Sequence, residues 1–397
     1  MSRSRSGLWR LLGRVAVGLA VLMLLPYAWA PVYRFPEPVA FAGPEFWNPY
    51  ASTSGHWQRA NLHAHGRAWL GLTSGEQSDA DVANRYRELG YSVAGVSDYQ
   101  RIAAFHGTDT LPLYEHGFNL GKNHQLAIDA RAVDWFDLPL WQSPSHQQYV
   151  IDRVKRKAGL VALNHPSSRD AYGFDALRAL TGYDLIEVAN GPFTTGDEWD
   201  IALSAGRLVW AMGNDDTHDL GDVRRSAVAW TMIDAASPSN ADIASALRAG
   251  RSYAVQRNGA LDASGITTLS ALSVDAGTIT VTLNGAPSTI TFIGQDGVVR
   301  ETIRDAWRAS YPMTDSDSYV RTVVTSPQTT MYLNPVVRWN GTALPAPVAT
   351  VNQAWTWMQR GAGALGCALL VAGLWLRPRR REDAKVRSRL RASGAGL

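Results

Sequence analysis

The sequence predicts an α/β body followed by a small antiparallel β-domain, both held between two apolar terminal helices. Three observations carry this. Strand and helix signals alternate from Arg59 to about Gly250, the texture changes to short Thr-, Val- and Ser-rich runs beyond about Asp262, and a charge-free apolar stretch lies near each end, Val15 to Ala30 and Gly361 to Leu376. With 46% hydrophobic and 18% charged residues in 397, the chain is neither disordered nor collagen-like, and its length suits two or three domains. Lys and Arg number 38 against 35 Asp and Glu, a net +3, but the surplus sits at the ends. Arg3, Arg5, Arg10 and Arg14 precede the first apolar stretch with no acid among them. Eight Lys and Arg against Glu382 and Asp383 follow the second, so about −7 is left for the middle. An acidic middle excludes a broad electrostatic grip on nucleic acid, and no stable nucleic-acid complex is expected.

Taken in order, residues 1–30 read as a membrane anchor or a signal segment. The Arg-rich start, the apolar run and Ala28-Trp29-Ala30 suit a cleaved signal, whereas Pro31 directly after that point favours retention. Residues 355–376 read as a transmembrane helix and 377–397 as a basic cytoplasmic tail. Each apolar stretch is completed to spanning length by its neighbours, Leu8 to Arg14 and Trp355 to Met358, and Trp29, Trp355, Trp357 and Trp375 fall at interfacial positions. Basic residues beside both spans place both ends in the cytoplasm. The body, about residues 31–354, is then extracytoplasmic, periplasmic or extracellular, with the lipid bilayer as partner. The sole cysteine, Cys367, lies inside the second span, so the body carries no thiol, as suits an oxidising compartment.

Residues 31–56 read as an extended lead-in. From residue 57 to 260, strands at Ala60 to His65 and Tyr91 to Val96 flank a helix capped by Ser78 and stopped at Gly90. Strands at Leu160 to Leu163, Leu185 to Val188 and Leu208 to Met212 then alternate with helices at Ser145 to Lys157, Phe174 to Leu180 and Glu198 to Ala205, a rhythm that predicts a parallel sheet or barrel. A helix at Asn240 to Ala249 is capped by Ser239 or Asn240. Residues 261–346, with runs such as Thr278 to Thr282 and Tyr319 to Thr325 between Asn-Gly and Asp-Gly pairs, read as a small antiparallel β-sandwich.

The chemistry lies where histidines and carboxylates meet this pattern. His63 and His65 stand two apart on a predicted strand, so both side chains leave one face and can meet one cation. Asp216 and His218 repeat the spacing after the strand ending at Met212, and Asp98, Glu115, His124 and His165 lie at other strand ends. Imidazole with carboxylate suits Zn²⁺, Fe²⁺ or Mn²⁺, and strand C-termini are where a barrel places its active site.

Over about Trp57 to Asn258 the chain resembles the PHP family, the polymerase and histidinol phosphatase domain. The matching pieces are Asn61-Leu62-His63-Ala64-His65, Gly95-Val96-Ser97-Asp98-Tyr99, Glu115, His124, Asn164-His165-Pro166, Leu185 to Asn190, and Gly213-Asn214-Asp215-Asp216-Thr217-His218. Ala246 to Tyr253, Tyr319-Val320-Arg321 and Tyr332-Leu333-Asn334-Pro335 look like the family's carbaryl-hydrolase-like branch. The resemblance implies a distorted (β/α)7 barrel, which the N- and C-terminal transmembrane helices read above would flank. It further implies two divalent transition-metal ions, one held by His63, His65, Glu115 and Asp216, the other by Glu115, His124 and His165, with Glu115 bridging. Asp98 is a ligand or orients one. Where the family holds a third metal, this chain has Tyr99 and no counterpart in Gly66 to Gly75, so a third site is weakened or absent. Two cations sharing a carboxylate imply an activated hydroxide attacking a phosphate ester or nucleotide, with Glu115, Asp216 and His218 the catalytic group and His218 able to protonate the leaving group. The alternatives are a metal-dependent carboxylic ester, carbamate or amide hydrolase, and a catalytically inactive envelope binding module. Arg101 and Arg169 would contact an anionic substrate or are exposed loop residues. His56, His116 and His146 are expected at the surface or as caps, and His106 either likewise or as a stand-in ligand.

Overall fold

The computed structural model describes residues 2–73, 75–103, 111–259 and 266–376. It divides into two compact units, Phe35–Ala349 and the terminal segments that end at Arg34 and restart at Thr350.

In the larger unit, a six-stranded sheet runs in the order Trp210–Asn214, Leu185–Asn190, Ala158–Leu163, Gln125–Ala130, Leu113–His116, with Phe193–Thr194 beside the second strand. Each inner strand reads as a near-continuous apolar run, and all six residues of Leu185–Asn190 are buried, as expected where both sheet faces are covered. Leu185–Asn190 is parallel to Trp210–Asn214 and Ala158–Leu163, but Gln125–Ala130 is antiparallel to both of its neighbours. This departs from the all-parallel expectation because only Gly117 to His124 link Leu113–His116 to Gln125–Ala130, too short a stretch for a crossover helix.

A nine-stranded sheet joins Val93–Ala94, Trp57–Asn61, Ala229–Asp234 and Ser252–Arg257 to Thr329–Trp339, Tyr319–Thr325, Ser288–Ile293 and Val299–Ala306, with Glu45–Trp47 on Thr329–Trp339. Strands from residues 57–260 and from residues 261–346 thus share one ladder, through Ser252–Arg257 paired with Thr329–Trp339. A three-stranded sheet, Thr268–Asp275, Thr278–Asn284 and Arg308–Pro312, completes the unit. Two motifs noted in the sequence fasten these parts. Asn334 donates to Gly250 O and Ser252 O, both at 2.9 Å, and accepts from Ala211 N at 2.7 Å. Arg321 grips Asp200 through Nε at 2.7 Å and Nη2 at 2.5 Å, and Tyr319 donates to the same carboxylate.

The two large sheets touch through single bridges, Ala64 with Thr217 and Tyr99 with Glu115. The helix Asp79–Glu88 packs Val82, Ala83 and Tyr86 inward. Ser78 closes its start in a capping box with Asp81, satisfying amides the helix leaves unpaired.

In the smaller unit, the helix Ser2–Trp29 holds a 19-residue stretch, Leu11–Trp29, of mean hydropathy 1.9, long and apolar enough to cross a membrane. The helix Gln353–Leu376 runs antiparallel to it. A Cβ on Gly363 would lie 2.4 Å from the Ala28 Cβ, so glycine permits the approach. Gln359 Nε2 donates to Tyr27 O and Ala30 O, and Tyr33–Arg34 pairs with Thr350–Val351. Residues 377–397, which include the basic tail, and His106 lie outside the described residues.

Candidate metal centre

Strand ends build the centre. Trp57–Asn61 stops two residues before His63, earlier than the sequence predicts, because asparagine side chains replace the ladder: Leu62 N donates to Asn214 Oδ1 at 2.7 Å and Asp215 N to Asn61 Oδ1 at 2.9 Å. Beyond that point His65 N bonds Thr217 O and Asp216 N bonds His63 O, both at 2.9 Å, so the two motifs are stitched together. His165 and Asp216 adopt left-handed backbone, φ 31° and 50°, a conformation that costs free energy and recurs at functional sites.

Seven of the expected ligands come together in four overlapping groups, with the donor atoms of each group within 4.8 Å of one another: His63, His65 and Glu115; His63, His165 and Asp216; His65, Asp216 and His218; and Glu115, His124 and His165. His63 Nε2 lies 3.2 Å from Asp216 Oδ1 and from His65 Nε2, and 3.4 Å from Glu115 Oε1. His65 Nε2 lies 3.2 Å from Glu115 Oε2 and 3.3 Å from Asp216 Oδ1, and His218 Nε2 3.4 Å from the latter. Yet Glu115 Oε2 and Asp216 Oδ1 are buried with no hydrogen-bond partner. Ligand atoms about 2.0–2.2 Å from a shared cation stand roughly 2.9–3.6 Å apart. Close spacing without hydrogen-bond direction therefore fits donors aimed at a common point, and the residues fit a divalent metal. On the second group, Glu115 Oε1 meets His124 Nδ1 at 2.9 Å and His165 Nε2 at 3.2 Å, and accepts from Asn164 Nδ2 at 3.1 Å.

Electrostatics agree with this role. Burial would raise the Glu115 and Asp216 pKa values, but His124 and His63 beside the first, and His63, His218 and His65 beside the second, hold both well below the usual carboxylate range. Burial would lower His63, yet Glu187, Asp216 and Glu115 outweigh it and hold the imidazole well above its ordinary value. His124 and His218 are pushed down, by burial first. The open side of the centre is formed by Asp216 and His218, whose side chains are 14% and 29% exposed.

Asp98 stands apart from these groups. One oxygen accepts from Gly66 N at 2.8 Å and the other pairs with Arg101, so both are engaged. Its pKa is raised to about 6, by burial first and by Asp79, against the pull of Arg101. Arg101 also pairs with Asp79 at 2.6 Å, and Arg169 is exposed. His56 is exposed and His146 completes the capping box with Ser143, but His116 is fully buried, held by Gln125 Oε1 and Phe136 O, both at 2.9 Å. Its pairing with Gln125 across the hairpin draws it inside, against the surface expectation. Tyr99 lies against His65, ring centroids 4.6 Å apart and planes 22° apart.

One residue had been given no role from the sequence. Glu187 Oε1 bonds His63 Nδ1 at 2.7 Å and accepts from Asn214 Nδ2 at 2.9 Å, while Oε2 accepts from His165 N at 2.8 Å and Asn190 Nδ2 at 3.0 Å. It turns the Nε2 of His63 toward the carboxylates, as partners behind metal ligands do. Its signal was there to find: a lone charge within the buried run Leu185-Ile186-Glu187-Val188-Ala189.

No family model matches the chain, and no curated protein matches it. Among solved structures, it is similar to a two-domain protein from Bacteroides vulgatus containing a predicted PHP-like metal-dependent phosphoesterase, at 12% identity and a TM-score of 0.37, over 80% of this chain and 98% of that one.

Proposed function

We propose that the body is a metal-dependent hydrolase of the PHP type, and that its reaction is phosphoester hydrolysis. The observation that carries this is the overlapping His and carboxylate groups, with Glu115 shared between two of them and unpartnered oxygens buried at their centre. Seven of the eight strands from Trp57–Asn61 to Trp210–Asn214, all but Phe193–Thr194, with the two single bridges, are read as the distorted barrel. His63, His65, Glu115 and Asp216 would hold one ion, and Glu115, His124 and His165 the other. Bound Mn²⁺, Zn²⁺ or Fe²⁺ would polarise the scissile bond and lower the pKa of the attacking water toward neutrality. Glu115 keeps both sites in register, Glu187 and Asn164 fix the orientation of His63 and Glu115, and His218, on the open side, would hand a proton to the leaving group. Asp98 acts through Arg101 and Gly66.

A second reading, hydrolysis of a carboxylic ester, carbamate or amide, is supported by one observation: Arg101 is tied to Asp79 and Asp98, which leaves it no part in gripping phosphate. Inhibition by inorganic phosphate favours the first reading, and turnover of aryl esters without such inhibition the second. Anchoring of the chain by its terminal helices, with the body extracytoplasmic, is part of the proposal. It is supported by the basic ends and by the apolar stretch Leu11–Trp29.

Elemental mass spectrometry on the full chain in detergent tests the centre. About two transition-metal ions per chain are expected, both lost in Glu115→Ala. In Tyr99→His the stoichiometry should rise toward three, and three tightly held ions in the parent would refute the two-metal site. No bound metal after reconstitution with Mn²⁺, Fe²⁺ or Zn²⁺ would sink the hydrolase reading.

A further inference from the structure

Tyr99 lies against the centre, with its hydroxyl turned toward Glu115. Its ring lies against His65, His65 lies against His218 at 4.3 Å with planes 2° apart, and Tyr99 stands 6.5 Å from His218, so the three rings form one bent cluster around His65. Its edge meets His124 at 5.5 Å and 77°. One side chain thereby touches histidines from both proposed ion sites. The backbone is fixed as well. Glu115 N donates to Ser97 O at 3.0 Å and Gln100 N to Glu115 O at 2.9 Å, framing Tyr99 opposite Glu115, and Trp69 Nε1 donates to Tyr99 O at 2.8 Å. Gln100 directly after it takes left-handed backbone, φ 52°, a cost retained where the surroundings over-determine a position. Tyr99 is only partly buried, unlike the almost fully buried His63, His65 and Glu115.

We propose that Tyr99 is a further catalytic residue, whose hydroxyl donates a hydrogen bond to the substrate oxygen that gains negative charge as the scissile bond is attacked. A phenol offers an O–H donor. No covalent step is involved; the proton stays on the phenol throughout. A donor already in place where charge develops costs no reorganisation during reaction, and losing one such donor typically lowers kcat by about 10²–10³-fold. The proposal rests on the hydrolase reading above.

The test compares the metal-loaded full chain with Tyr99→Phe, which keeps the ring contacts and removes only the hydroxyl. Two readouts are taken: kcat and KM on bis(p-nitrophenyl) phosphate and p-nitrophenyl acetate, and the equilibrium affinity for inorganic phosphate. Expected are a kcat lower by about 10²-fold, phosphate affinity weaker by about tenfold, and unchanged metal content and thermal midpoint. Unchanged kcat and phosphate affinity would overturn the role of Tyr99 while leaving the hydrolase reading intact. A loss that tracks metal content would make Tyr99 a structural support and overturn it too. A parent that holds metal but neither turns over a probe nor binds phosphate overturns the hydrolase reading, and this proposal with it.

Discussion

Glu187 decides which nitrogen of His63 faces the carboxylates, and it does so with no contact to the open side of the centre. Replacing it by glutamine keeps the volume but removes the charge that accepts from His63, Asn214, Asn190 and His165 N. Glu187→Gln should weaken metal affinity by about 10–100-fold, measured by competition with a chromophoric chelator. Affinity equal to the parent's would show that His63 is oriented by its backbone alone. The His63/His65 and Asp216/His218 pairs of the centre were legible in the sequence because His-x-His and Asp-x-His at strand ends are local patterns, whereas Glu115, His124 and His165 took their place through the family resemblance. The parting of Asp98 from them was not legible, since it turns on Arg101 and Gly66 meeting its two oxygens in space.

At the scale of elements, Asp134 anchors the helix Pro144–Lys155 by its C-terminal end. Buried after the strand Gln125–Ala130, its carboxylate accepts from Phe136 N at 2.9 Å and pairs with Arg153 at 3.0 Å and Lys157 at 3.1 Å. Burial would raise its pKa, but the Phe136 amide, Arg153 and Lys157 outweigh that and hold it below the ordinary value. A depressed folded pKa gives stability that is present above the unfolded value, about 3.9, and fades as pH falls through the folded one. Asp134→Asn should therefore lose about 1–3 kcal/mol at pH 7. In urea unfolding the gap from the parent should narrow below about pH 4; a gap that stays constant with pH would show that the charge contributes nothing. Helix starts were readable in advance, because Ser78 and Ser239 cap as their sequences predict. The direction of Gln125–Ala130 was not, since strand periodicity is the same for parallel and antiparallel neighbours.

At the scale of the whole molecule, the question of anchor or signal falls on residues 1–30. Retention predicts that the intact mass of the chain from membranes includes them and that alkaline carbonate leaves it in the pellet. A mature chain beginning near Pro31 would instead assign a cleaved signal and leave the C-terminal helix as the anchor. One sheet is shared by strands from residues 57–260 and 261–346, and Asn334 and the Arg321 to Asp200 pair bind the later strands to the earlier ones across the texture change near Asp262. Splitting that buried pair would leave a desolvated charge behind.

By itself the sequence determined the strand and helix rhythm, the helix caps, the apolar terminal stretches and the His63/His65 and Asp216/His218 pairs, because each is a pattern within a few residues. Only the tertiary structure decided that Glu187 stands behind His63, that Asp98 is taken by Arg101, that His116 is buried and that Tyr99 lies against His65 beside His218. Each of those outcomes is a competition for a polar partner or a ring face between segments distant in the chain, and its winner is set by which strands lie side by side.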